Sequence, residues 1–131
     1  MAEFTFSLPI TIPRPRSRDL PLNLNEYRNS HYQTLNNMKI KFKEIVSENE
    51  EIRILLPKLN RIELHYVLYP KTHRACDVAN VLSIVDKFFS DALVELGKLE
   101  DDSYHFLPKV TYEIGYVDKD NPRADVTIKE I

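Results

Sequence analysis

The chain has 131 residues with a formal net charge of −2, 43% apolar and 29% charged side chains, which fits one soluble globular domain with a sizeable core. No apolar run approaches the roughly 20 residues of a membrane span, and the single cysteine, Cys76, excludes an internal disulfide and fits a reducing compartment. The opening MAEFTFSLPI has no basic segment leading into an apolar block, so no secretory signal is read there.

Phe4, Phe6, Leu8 and Ile10 alternate with Glu3, Thr5, Ser7 and Pro9, the period of a half-buried strand. Pro9 puts that strand at an edge or ends it. The segment IPRPRSRDLPLNLNEYRNSHY reads as a long loop, extended at its Pro-Arg-Pro stretch, and loops of that length usually serve a function. A helix follows from about His31 to Glu48, with Ser30 as its expected N-cap and Leu35, Met38, Ile40, Phe42, Ile45 and Val46 as its apolar face. Ile52, Ile54, Leu55 and Leu56 read as a short edge element inside a connector. Ile62, Leu64, Tyr66 and Leu68 alternate through the clearest strand, Arg61 to Tyr69. A long helix is expected from Asp77 to about Gly97. Two strands then close the chain, carrying Val110, Tyr112, Ile114 and Tyr116 on the first and Ala124, Val126 and Ile128 on the second. The DKDNPR turn signal between them predicts a hairpin. These elements predict an α+β fold over residues 1–131: two long helices on one face of a mainly antiparallel or mixed sheet of four to five strands.

The helix from Asp77 is apolar over most of its surface, yet its polar residues cluster. At about 100° per residue, Asn80, Lys87 and Asp91 fall within roughly 40° of one another, with Asp77 flanking and Asp86 further off. Core helices seldom bury such groups together without a reason. Asp101 and Asp102 follow the helix. Clustered aspartates with little histidine suit a hard cation, Mg²⁺ or Mn²⁺, with phosphate as co-ligand. The ordinary readings stand beside that one: Asp77 as a helix N-terminal charge, Asp101-Asp102 as a solvated turn, and Lys87–Asp91 as an i,i+4 pair. A rod of about 20 residues is roughly 30 Å long, so Asp77 and Asp102 can meet only if the chain folds back or a second copy intervenes. Cys76 reads as packing or as a nucleophile.

Charge is uneven along the chain. Residues 1–75 hold 12 Lys and Arg against 8 Asp and Glu, whereas residues 76–131 hold 6 against 12. Arg14, Arg16, Arg18, Arg28, Lys39, Lys41 and Lys43 lie within the first part. That suits a protein that grips a polyanion and sets metal against it; a solvated surface gives the same numbers.

Lys87, then Asp91-Ala92-Leu93, then Asp101-Asp102 keep the spacing of the RusA family of Holliday-junction resolvases, small phage- and prophage-associated endonucleases, which this chain resembles over nearly its whole length. DVAN, Asp77 to Asn80, looks like that family's helix start, LNLNEYRNSHY like its Asn/Tyr/Arg-rich loop, and VTIKEI like its closing strand. Two departures are visible: Ala79 replaces the family's second helix-start aspartate, and the interval from Asn80 to Lys87 is about one helical turn longer. The resemblance implies a homodimeric, Mg²⁺-dependent endonuclease (Mn²⁺ as substitute) resolving branched DNA in the bacterial cytoplasm, phage- or prophage-encoded. It implies Asp77, Asp101 and Asp102 as metal ligands, with Asp77, Lys87 and Asp102 catalytic. Asn80, Asp86 and Asp91 would support them, and the seven basic residues would hold DNA. The alternative is a junction-binding module of the same fold that has lost the chemistry, which Ala79 favours.

Overall fold

The computed structural model describes residues 2–131. In chain order the elements are β1 (Glu3–Leu8), β2 (Thr11–Ile12), β3 (Leu20–Pro21), α1 (Leu24–Asn29), α2 (Tyr32–Glu48), β4 (Ile62–Tyr69), α3 (Val78–Glu95), β5 (Lys109–Ile114) and β6 (Arg123–Glu130). A π-helical turn, Glu51–Leu55, precedes β4. The expected α+β architecture is present, with α2 and α3 packed on a mixed sheet of order β1-β6-β4-β5. The strand β4 carries the middle of it. Ile62, Leu64, Tyr66 and Leu68 are all buried, while the alternate residues are half-exposed. Ala124, Val126 and Ile128 of β6 lie in register with Leu68, Tyr66 and Leu64, so both strands turn one face to the helices.

The hairpin expected of the last two strands does not form. β5 runs parallel to β4, β6 runs antiparallel to it, and β4 lies between them. The physical reason is the crossover. β4, α3 and β5 make a βαβ unit, whose returning strand must run parallel. The segment 115–122 then passes over the end of β4, where Gly115 N–H bonds the Leu68 carbonyl at 2.7 Å and Asp118 N–H bonds that of Pro70 at 2.9 Å. The turn signal thus marks a bridge across a strand. Arg123 pins it through Asp118 at 2.8 Å and Asp125 at 3.1 Å, with its guanidinium 4.1 Å above the Tyr69 ring.

Two local expectations also change. Ser30 does not cap α2. It ends α1, its N–H bonding the Glu26 carbonyl, and His31 caps α2 by accepting the Gln33 N–H on Nδ1. The long loop is therefore folded: Ile12 pairs with Leu20, Leu22 is buried, and Asn23 caps the short α1. The Ile52–Leu56 stretch forms no edge strand. Leu56 N–H reaches back five residues to the Glu51 carbonyl, which puts Ile52 and Leu56 in the core. Among the described residues, no helix is long and apolar enough to cross a membrane.

Candidate active site

α3 sits over β4 with Leu82, Ile84, Val85, Phe88, Phe89, Ala92 and Leu93 buried. Asp86 lies at the edge of that apolar surface, above an inward-facing tyrosine. Tyr66 is wholly buried, and its hydroxyl donates to Asp86 Oδ1 at 2.8 Å. Ser90, one turn further along α3, donates to the same oxygen at 3.2 Å. A buried phenol needs an acceptor, and a half-buried carboxylate needs donors, so the two requirements meet. Burial still pushes the Asp86 carboxyl above the usual range; the two hydrogen bonds pull it down, and the charges of Asp102 and Asp91 raise it again. Burial likewise raises Tyr66, with the Asp86 charge adding to it, and the same two causes raise Tyr112 on the neighbouring β5.

Asp102 reaches this spot because the chain reverses after α3. Gly97 adopts φ 74°, its N–H bonds the Val94 carbonyl, and Lys98 N–H bonds that of Leu93, a Schellman ending. Leu99 is buried beyond it. The returning loop is tied at both ends. Lys98 Nζ donates to the Arg53 and Leu56 carbonyls at 2.9 and 2.6 Å, and Ile62 N–H bonds the Phe106 carbonyl at 2.8 Å. The loop that carries the acidic pair thereby turns back after the helix, and the Asp102 charge is one of the lesser influences on both Asp86 and Asp91. Asp91 is raised by burial; Lys87 lowers it, Asp102 raises it, and Lys39 from α2 lowers it.

The convergence differs from the expected one. Asp77 is the N-cap of α3, its Oδ1 accepting the Ala79 N–H at 3.0 Å. It lies nine residues before Asp86, about 14 Å of helix rise. Among the described residues, no group of three His, Cys, Asp or Glu side chains closes into a metal cage, so Asp77, Asp101 and Asp102 do not close one within the chain. Asp101 and Asp102 are both exposed on the returning loop. Asn80 faces another neighbour: its Oδ1 accepts the Leu24 N–H at 3.2 Å and fastens α1 to α3. Lys87 is exposed between the two shoulders of the helix.

The basic residues divide likewise. Lys39 and Lys43 line a groove of about 300 Å³ between α2 and α3, shared with Asp91 and Glu95. Lys43 is bound to Glu95 at 2.7 Å, Lys41 lies 3.7 Å from Glu44, and Arg18 lies 3.8 Å from Glu26. Arg14 donates through Nε to the Arg18 carbonyl at 3.0 Å. Arg16, at φ 62°, and Arg28, in the last turn of α1, are exposed.

The same negative covers Asp86, Asp91 and Asp102: the helix sets Asp86 and Asp91 about 140° apart, and among the described residues the three do not close a metal cage within the chain. Their charges repel one another, and a cation taken up by one or two of them would relieve that repulsion. Mg²⁺ is commonly held by one or two carboxylates, with water and phosphate oxygens completing its shell. Tyr66 and Tyr112 were not among the sequence candidates. The signal available was a tyrosine at an inward strand position, which calls for an acceptor on the helix above. No protein-family model matches the chain, and no curated protein matches it.

Proposed function

We propose that this chain is a Mg²⁺-dependent endonuclease, with Mn²⁺ as a substitute metal, that hydrolyses phosphodiester bonds in branched DNA such as Holliday junctions, acting as a homodimer in the cytoplasm. The observation that carries the reading is Asp86, held at the rim of the core by hydrogen bonds from Tyr66 at 2.8 Å and Ser90 at 3.2 Å, with the charge of Asp102 on the returning loop acting on it. It supports the acidic helix-and-loop constellation by which the chain resembles the RusA family, with Asp86 in the place expected for Asp77.

In this reading Asp86 and Asp102 hold the metal and Asp91 orients the shell around it. A bound divalent cation polarises the phosphate and lowers the pKa of a water nucleophile. Tyr66 and Ser90 fix the Asp86 carboxylate by occupying Oδ1, which leaves Oδ2 for the ligand. Lys87 stabilises charge developing on the phosphate oxygens. Lys39, Arg16 and Arg28 contact the DNA backbone, which makes binding salt-sensitive.

The test is cleavage of a four-way junction with Mg²⁺ or Mn²⁺ by the wild type and by Asp102→Asn, Asp86→Asn and Asp77→Asn, each checked for fold by circular dichroism. Loss with the first two and a smaller effect with the third is the expected pattern. Equal rates for the wild type and Asp102→Asn would remove the catalytic assignment. The second reading, a junction-binding module without chemistry, is favoured by Ala79 standing beside Asp77 at the helix start. Junction binding with no cleavage under either metal selects it, and the absence of salt-dependent DNA binding rejects both.

A further inference from the structure

We infer that the open edge of β5 is where a second copy of this chain pairs, antiparallel, about a two-fold axis at Thr111. This deepens the homodimer of the proposed function and rests on it. The edge itself is argued from the strand.

Among the described residues, β5 closes the sheet on one side, with β4 as its only neighbour. Gly115 N–H bonds Leu68 on β4 at 2.7 Å. Main-chain groups alternate along a strand, so positions 109, 111 and 113 also face β4. Val110, Tyr112 and Ile114 turn their N–H and C=O groups outward. An edge of this kind is a template for another strand.

Among the described residues, large side chains along this edge stay exposed. Tyr112 and Ile114 are 36% and 49% exposed, although Tyr66 and Leu68, their register partners, are buried. At the opposite edge, Phe6 and Leu8 of β1 are buried. Among the described residues, the two edges of one sheet are thus finished differently, and the β5 edge keeps large apolar side chains in water.

Self-pairing is selected by charge and register. In a two-fold antiparallel pair, an axis through Thr111 sets Lys109 of one copy opposite Glu113 of the other, and the reverse. It also sets Val110 opposite Tyr112 and Thr111 opposite itself. The Val110–Tyr112 pairs have outward-facing main chains on both sides, so they are hydrogen-bonded pairs. Opposite charges and an aromatic against a β-branched residue are the favourable cross-strand combinations. An axis at Lys109 or Glu113 would oppose like charges, and an axis at Val110 or Tyr112 leaves no opposite-charge pair. The Thr111 axis places both helix layers on the same side of one continuous sheet. Since Tyr112 lies within the field of Asp86, it also sets the two acidic groups on either side of the axis.

The test is sedimentation of the full chain over a range of concentrations, with fold checked by circular dichroism. The wild type is expected to dimerise. Lys109→Glu and Glu113→Lys alone, which set like charges opposite each other twice per dimer, are expected to weaken it at least about tenfold, and the double exchange is expected to restore it. Thr111→Cys in a Cys76→Ser background is expected to give a disulfide-linked dimer on mild oxidation. A monomer at every concentration, or a dimer indifferent to both single exchanges and not linked through position 111, overturns the inference. Junction cleavage is assayed in parallel. A monomer that cuts removes the edge pairing and leaves the nuclease reading standing, whereas a charge-dependent dimer that does not cut supports the pairing and removes the nuclease.

Discussion

Replacing Tyr66 by Phe isolates one hydrogen bond at the centre of the site. The ring stays where it is, 6.5 Å edge-on from Phe89 and 6.0 Å from Tyr112, so no cavity opens. What is lost is the 2.8 Å bond from the hydroxyl to Asp86 Oδ1. A hydrogen bond to an ionised group contributes about 1.5–3 kcal/mol, and a neutral pair about 0.5–1.5 kcal/mol. A loss of about 2 kcal/mol lowers the Tm of a chain this long by about 7 °C, at about 2.1 cal/mol/K of unfolding entropy per residue. The penalty must also depend on pH. Tyr66 is one of the groups pulling the Asp86 carboxyl down, so its removal lets that pKa rise further. The variant therefore loses more where Asp86 is ionised than where it is protonated, so more at pH 8 than at pH 4. Urea unfolding of both proteins at the two pH values, in chelator to remove divalent ions, measures the difference. A loss that is equal at both, or below about 0.5 kcal/mol, would refute the claim that this phenol steadies an ionised carboxylate.

Asp86→Asn should stabilise the fold at neutral pH while abolishing cleavage. The folded Asp86 pKa is raised, so the folded state holds its proton more tightly than the unfolded chain. Its favourable contribution is complete below the unfolded value of about 3.9 and is lost as pH rises through the folded one. The gain of the Asn variant in chelator should thus appear near pH 7 and vanish near pH 3; a variant less stable than wild type at pH 7 contradicts this. Gly97→Ala should cost about 1 kcal/mol through backbone conformation alone, since nothing lies within 4 Å of the added Cβ. Because Gly97 turns the chain that carries Asp102, cleavage should fall more than junction binding does. Arg28→Ala should reduce the slope of log K against log salt by about one in a junction-binding assay; an unchanged slope removes Arg28 from the DNA contact.

Much of the fold was legible because its signals are local. The alternation of Ile62, Leu64, Tyr66 and Leu68 and the apolar surface of α3 arise from burial on one face, and each holds wherever the element finds its partner. Partner choice is not local. Ala124, Val126 and Ile128 announce an inward-facing strand, yet nothing within them distinguishes β4 from β5 as the neighbour. The parallel return imposed by α3 decides it. Ser30 failed as a cap for a similar reason: a short helix before it, capped by Asn23, had already taken Ser30 as its end.

The site was half legible, and the missing half follows from where α3 sits. A helical wheel treats Asn80, Lys87 and Asp91 as one stripe with a single purpose, because it measures angle about the axis and ignores the neighbours. In the fold, α3 meets the sheet below, α1 near its start and α2 along one shoulder. Asn80 is accordingly taken up by Leu24 of α1, and Asp91 by the groove facing Lys39. Asp86 lies on the other shoulder, about 100° round from Lys87, and for that reason it weighed little beside the stripe. That shoulder is the one under which β4 presents Tyr66, and the charge of Asp102, on the loop beyond Gly97, acts on it. A carboxylate held at the rim of the core by a buried phenol, with the charge of a second carboxylate acting on it, is poorly compensated. This makes the charge conflict around Asp86 a stronger pointer to chemistry than the stripe itself, since the stripe is accounted for by packing α1 and α2 and the conflict is not.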